Sequence, residues 1–80
     1  MVMLHIEKPD TELRKEIISM WPYGLLELWD NGDIIIKAES VSRWKGCWYF
    51  FTTTTYCHIH LIIPVKKVAH IRKINWKEGD

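Results

Sequence analysis

The stretch from residue 24 to residue 39, GLLELWDNGDIIIKAE, constrains the fold most, because two apolar runs flank an Asp-Asn-Gly turn. Such a turn between apolar runs is the strongest short-range signal of a β-hairpin. A two-residue loop of Asn31 and Gly32 would set Asp30 opposite Asp33 and mix the two faces. A three-residue loop ending at Gly32 in the left-handed region avoids both problems. We therefore expect the longer loop.

The three-residue loop sorts the hairpin into an apolar face and a mixed face. The expected pairs on the apolar face are Leu28 with Ile34, Leu26 with Ile36, and Gly24 with Ala38. A slip of one residue would exchange the two faces, so the pattern selects this register. Trp29 and Ile35 then lie on the mixed face, where the apolar face of the hairpin cannot bury their side chains. We expect them to meet either the helix or a protein partner.

A short strand and one helix are expected before the hairpin. Residues 2–6 alternate between apolar and other side chains, which indicates a strand at a sheet edge. Residues 10–21 have the features of a helix, because Asp10 suits the N-cap and apolar residues recur at helical spacing. Pro22 stops this helix. We expect the helix to cover one end of the sheet.

Three further strands are expected after the hairpin. Residues 47–52, CWYFFT, are rich in strand-forming aromatic residues, and residues 56–63, YCHIHLII, alternate cleanly. Pro64 breaks the latter strand because it cannot donate to a central ladder. Residues 64–76 fit either one 3₁₀ turn followed by a last strand or a helix starting at Pro64. Their β-branched content favours the turn and strand.

The predicted fold is mainly β, in the α+β class. An N-terminal helix precedes a small five-stranded antiparallel barrel of the SH3-like or Sm-like type, or a strongly bent sheet. We expect a single domain over residues 1–80, with the helix at 10–21, the barrel at 24–76 and a tail at 77–80. A chain of 80 residues has a limited core, so a homo-oligomer is an open alternative.

The order of helix, hairpin and later strands resembles that of Sm-like proteins, the bacterial Hfq group among them. The resemblance is carried by LELWDNGDIII at residues 26–36 and by IIPVKKVAHI at residues 62–71. It implies a small barrel that binds RNA.

A second resemblance, over about residues 26–73, is to the Rof family of Sm-like inhibitors of the Rho termination factor. It rests on LEL at 26–28, the Asp/Asn-Gly turn, Lys37-Ala38 with Ser40, and Val41-Ser42-Arg43 before an aromatic strand. This resemblance implies a small regulator that docks on a nucleic-acid-processing protein.

The charges are unevenly distributed, although the net charge is only +1. Residues 1–40 carry eight acidic and four basic side chains, whereas residues 41–77 carry seven Lys or Arg and no acid. Cations neutralise phosphates and aromatic rings stack on bases, so the second half suits single-stranded nucleic acid. The candidate nucleic-acid-binding residues are Arg43, Trp44, Lys45, Lys66, Lys67, Arg72 and Lys73. A solvated surface and head-to-tail self-association are the alternatives.

The acidic first half suggests a different partner. Acidic groups with aromatic neighbours can dock on the basic nucleic-acid-binding surface of another protein. The candidate protein-binding residues are Glu12, Glu16, Trp29 and Ile35. We expect a non-enzymatic regulatory protein, an inhibitor that docks on a nucleic-acid-processing protein, with RNA or single-stranded nucleic-acid binding as the alternative function.

No motif predicts catalysis, a cofactor or a metal site. A P-loop and a GxGxxG motif are both absent, and Cys57 points away from His58 and His60, so these three residues are not a compact zinc ligand set. Two cysteines do not make a disulfide framework, and no apolar run is long enough to span a membrane. The first residues do not resemble a signal peptide. We expect a cytoplasmic protein whose partner is a protein or RNA.

Overall fold

The computed structural model describes residues 1–68 and 70–74, which form one α-helix, seven β-strands and two single-turn 3₁₀ helices. The strands are β1 (Val2–Ile6), β2 (Leu26–Leu28), β3 (Ile34–Ala38), β4 (Ser40–Trp44), β5 (Cys47–Thr53), β6 (His58–Pro64) and β7 (Ile71–Ile74). Helix α1 spans Thr11–Met20, and the first and second 3₁₀ turns span Tyr23–Leu25 and Val65–Lys67.

Helix α1 begins and ends within a residue of the predicted bounds. The Asp10 side chain accepts the backbone N–H of Leu13 at 2.8 Å, which satisfies one of the unpaired donors of the first turn. At the other end the Trp21 N–H still donates to the Ile17 carbonyl, and Pro22 follows. No helix in the described part of the chain is long and apolar enough to cross a membrane.

The hairpin of β2 and β3 has the predicted register. The pairs are Leu28 with Ile34, Glu27 with Ile35, and Leu26 with Ile36. The Trp29 N–H donates to the Asp33 carbonyl at 3.0 Å, and Gly32 has a φ of +99°, so the three-residue loop is confirmed. The predicted pairing of Gly24 with Ala38 is wrong, because Gly24 lies in the first 3₁₀ turn.

The first sheet contains four antiparallel strands in the order β2–β3–β1–β7. Strand β1 therefore lies inside the sheet, and the prediction that residues 2–6 form an edge strand is wrong. The physical reason is that β1 is buried on both faces: Leu4 and Ile6 enter the core, and Met3 and His5 are buried on the opposite side. A strand covered on both faces is typical of the middle of a sheet.

The second sheet contains three antiparallel strands in the order β4–β5–β6. Only Glu39 separates β3 from β4, and there the chain passes from the first sheet to the second. The predicted five-stranded SH3-like or Sm-like barrel is wrong, because the described strands form two sheets and no closed ring. Strand β1 inserts between the hairpin and β7, and β4 and β6 are left as the edges of the second sheet.

One core lies between the two sheets and the helix. Its buried side chains are Leu4, Ile6, Ile34, Ile36 and Ala38 from the first sheet, Phe50, Leu61 and Ile63 from the second, and Leu13, Ile17 and Trp21 from the helical region. The Trp21 ring meets Phe50 edge-on at a centroid distance of 6.4 Å, and its Nε1 donates to the Lys37 carbonyl. The inner faces of both sheets are thus occupied, and ligands can reach only the outward faces.

The segment after Pro64 forms the predicted turn and strand. The second 3₁₀ turn and β7 follow each other, so the alternative of a helix starting at Pro64 is wrong. Ala69 and residues 75–80, including the predicted end of the last strand and the tail at 77–80, lie outside the described residues.

Replacing Gly32 by Ala is expected to lower the free energy of unfolding by about 1–2 kcal/mol, because a residue with a Cβ rarely adopts a positive φ. An added Cβ would meet only the Lys8 side chain, at 3.9 Å, so the cost is conformational rather than steric. Urea unfolding measures the change.

The matched control is Gly24→Ala, because Gly24 has open space around it and no positive φ. This variant should change the free energy of unfolding by less than about 0.5 kcal/mol. Equal losses in the two variants would contradict the special role of Gly32.

Candidate nucleic-acid interface

The second sheet presents one face to the core and the other to solvent. Side chains alternate along β5, so Trp48, Phe50 and Thr52 share the inner face. Phe50 pairs with Leu61 of β6, and both are buried. Because cross-strand partners lie on the same face, the register also assigns the outward side chains of β4 and β6.

We call the outward surface of the second sheet the aromatic face. It consists of Ser40, Ser42, Trp44, Cys47, Tyr49, Phe51, His58, His60 and Ile62. A shallow groove of about 780 Å³ runs over it. Trp44 is 60% exposed and Ile62 is 51% exposed, although full burial of a large apolar side chain contributes about 1.5–3 kcal/mol. A contiguous set of exposed apolar side chains is typical of a binding surface.

The rings of the aromatic face lie within contact distance of one another. The centroids of Trp44 and Tyr49 are 6.4 Å apart, and Phe51 lies 5.8 Å from His58 and 5.0 Å from His60. These distances are close to those of favourable ring pairs. Because the residues belong to paired strands, the backbone ladders hold the rings in position before any ligand binds.

Three lysines gather at one end of the aromatic face: Lys45, Lys66 and Lys67. The first of them lies over Trp44, with its Nζ 4.5 Å from the ring centroid, which is a cation–π distance. The second 3₁₀ turn carries the other two. It is tied to the same end because the Val65 N–H donates to the Gly46 carbonyl at 2.8 Å. We call these three residues the lysine end.

The seven predicted nucleic-acid-binding residues divide between the two sheets. Trp44 and the lysine end lie together. Arg43 points away from Trp44 to the inner face, where its guanidinium lies 5.7 Å from the centroid of the Trp48 ring. Arg72 and Lys73 belong to β7 in the first sheet. The structure therefore brings together Trp44, Lys45, Lys66 and Lys67, and separates the other three.

The four predicted protein-binding residues are also dispersed. Glu12 and Glu16 are exposed on α1, and Trp29, which is 40% exposed, packs its ring 5.0 Å from that of His5 rather than on the helix. Ile35 is only 2% exposed, so a partner cannot reach it in this fold. Docking on a protein through Glu12, Glu16 and Trp29 stays a prediction.

A buried polar cluster on the first sheet surrounds Asp33. His5 and Asp33 are each 5% exposed, and His5 Nε2 lies 2.7 Å from Asp33 Oδ2. The carboxylate also accepts the backbone N–H of Lys8 and the side-chain amide of Asn31. The hydrogen bond from His5 is the main cause that lowers the pKa of Asp33, and it outweighs the opposing effect of burial. Asp33 is therefore a carboxylate at neutral pH.

Neither thiol belongs to a visible metal site. Cys47 and Cys57 are both free, and among residues 1–68 and 70–74 no three His, Cys, Asp or Glu side chains are grouped to hold an ion. His58 and His60 instead flank Phe51 on the aromatic face.

Sequence reasoning missed Tyr49, Phe51 and Ile62 as members of the site. The signal was present for all three, because alternation along CWYFFT places Tyr49 and Phe51 opposite Trp48 and Phe50, and alternation along YCHIHLII places Ile62 with His58 and His60. The buried cluster around Asp33 has no local signal, since its two central residues are 28 positions apart.

Comparison with known proteins adds no relative. No protein-family model matches the chain, and no curated protein and no solved structure is significantly similar to it. The resemblances of the sequence to Sm-like and Rof proteins stay untested, and the function is argued from the geometry.

Stability should fall in acid as Asp33 gains a proton. An unfolded Asp titrates near pH 3.9, and the pKa of folded Asp33 is lower. Between these two values the unfolded chain binds more protons, so the contribution of Asp33 is complete above about pH 4 and is lost as the pH falls through the folded pKa. The midpoint of urea unfolding, followed from neutral to acid pH, measures this loss.

Asp33→Asn should have a lower midpoint than the wild type at pH 7 and a shallower decline in acid, because the charge is removed at every pH. Asp30→Asn, at an exposed position of the same turn, is the matched control and should follow the wild type. A wild-type profile for Asp33→Asn would show that the buried pair does not stabilise the fold.

Proposed function

We propose that the aromatic face binds single-stranded nucleic acid. The observation that supports this function is an open sheet face carrying Trp44, Tyr49 and Phe51 beside the lysine end, in a segment with no acidic side chain from residue 41 to residue 74. Glu39 lies at the opposite end of the sheet, where its carboxylate accepts a hydrogen bond from Thr53.

Aromatic side chains on a sheet suit unpaired bases. Every base has a flat π face, and stacking it on an aromatic side chain contributes about 1–3 kcal/mol. Tyr49 and Phe51 are two residues apart on β5, a separation of about 7 Å, so they can take successive bases of an extended strand. Because stacking depends little on which base is present, we expect weak sequence preference.

The lysine end supplies the attraction for the sugar–phosphate backbone. Lys45 lies on the Trp44 ring, so a strand that stacks near Trp44 passes beside this ammonium group. Lys66 and Lys67 extend the positive charge beyond it. This charge favours a polyanion over an apolar protein segment as the occupant of the groove.

Affinity for a fluorescein-labelled oligouridylate, measured by fluorescence anisotropy, should fall steeply with salt. Each neutralised phosphate on a single strand contributes about −0.7 to the slope of log K against log salt, so three lysines predict a slope of about −2. A labelled oligodeoxythymidylate in parallel separates RNA from DNA as the preferred strand. Absence of binding to both at low salt would refute the proposed function.

Trp44→Ala and Tyr49→Ala should each weaken binding of the oligonucleotide by about 1–3 kcal/mol, because each removes one stacking surface. Tyr23→Ala is the matched control, since Tyr23 is 89% exposed on the first 3₁₀ turn and outside the aromatic face. The same anisotropy titration reads all three variants.

A parallel pair of variants tests the charge. Lys66→Gln should reduce the salt slope, whereas Lys15→Gln on α1 should leave it unchanged, because Lys15 is exposed and belongs to neither the aromatic face nor the lysine end. Equal effects of the site variants and their controls would show that attraction is not localised to the aromatic face.

A further inference from the structure

A separate cleft, of about 440 Å³, lies on the outward face of the first sheet. It is lined by His5, Trp29, Arg72, Lys73 and Ile74, and it shares none of these residues with the aromatic face. Its volume is within the range of small-molecule sites. We propose that this cleft binds a small phosphorylated ligand with a flat ring, of the nucleoside monophosphate class.

The guanidinium of Arg72 is available for an anionic group. Arg72 pairs with His5 and shares its outward face, whereas Lys73 pairs with Leu4 and belongs to the opposite face of the strand. Arg72 is exposed and forms no ion pair within the described part of the chain. The contact that the structure gives the Arg72 guanidinium is to His5, with Nη2 3.4 Å from Nδ1. A guanidinium has five N–H donors in a planar fork, so most remain to bind phosphate oxygens.

The aromatic wall of the cleft is Trp29. Its ring lies 5.0 Å from the His5 ring, and its Nε1 donates to the Glu27 carboxylate at 3.0 Å, which fixes the orientation of the indole. A flat ring can stack on the exposed part of the indole while its phosphate reaches Arg72.

Asp33 determines which nitrogen of the His5 ring carries hydrogen and which one accepts from Arg72. Asp33 is a carboxylate that only accepts hydrogen bonds, so His5 Nε2, 2.7 Å away, carries hydrogen. In the neutral imidazole, Nδ1 is then an acceptor and lies on the side of Arg72. The Asp33 carboxylate also accepts hydrogen bonds from the Lys8 N–H and the Asn31 amide, so its oxygens are already hydrogen-bonded within the protein.

Isothermal titration calorimetry with adenosine monophosphate tests this proposal. The probe should bind about tenfold more tightly than inorganic phosphate or adenosine, because each of these keeps only half of the contacts.

Arg72→Gln should weaken the binding of adenosine monophosphate at least about tenfold, and Lys15→Gln, at an exposed position of α1, should leave it unchanged. If Arg72→Gln failed to fold, Trp29→Leu would test the aromatic wall of the same cleft. Trp44→Ala should retain the binding, which separates this cleft from the aromatic face. Equal affinity for adenosine and its monophosphate, or loss of binding in Trp44→Ala, would overturn the proposal.

Discussion

The hydrogen bond between buried His5 and Asp33 connects parts of the chain that are distant in sequence. It ties β1 to the turn of the hairpin across 28 residues. The same turn receives the backbone N–H of Lys8, and Arg14 of α1 donates to the Gly32 carbonyl at 3.0 Å. Removing one partner of a buried hydrogen bond costs more than the bond contributes, because the other partner is left without hydration. One turn thus positions the N-terminal strand and the helix together.

The position of β1 determines which surfaces remain open. Strand β1 fills the middle of the first sheet, and the described strands form two separate sheets rather than one ring. The core takes the inner faces of both sheets. The two outward faces then differ in chemistry: one carries aromatic rings beside lysines, and the other carries a buried His–Asp pair beside a cationic cleft. We therefore propose a different anionic ligand for each face.

Local patterns in the sequence predict much of this fold. The Asp-Asn-Gly turn fixes the hairpin register, Asp10 and Pro22 bound the helix, and alternation separates the two faces of β6. The aromatic face could have been derived in the same way, because the alternation along β5 is equally clear. Such patterns act over a few residues and need no knowledge of the remaining chain.

Long-range pairing is what the sequence does not reveal. Nothing near residues 2–6 indicates that β3 and β7 flank them, so the sequence predicts an edge strand and a barrel where the structure has a central strand and two sheets. The burial of Ile35 is not predicted for the same reason, because it depends on β1 lying beside β3. The His5–Asp33 pair depends on that register as well.

The central claim is that the open face of the second sheet is the binding surface of this protein. The most direct measurement is an NMR titration of the ¹⁵N-labelled chain with an oligouridylate at low salt, in which the chemical shifts of the backbone amides are monitored. We predict shifts in β4, β5 and β6 and at the Lys45–Gly46 turn, with α1 and the hairpin turn unchanged. Shifts confined to α1 and the hairpin turn, or no shifts at all, would contradict the account.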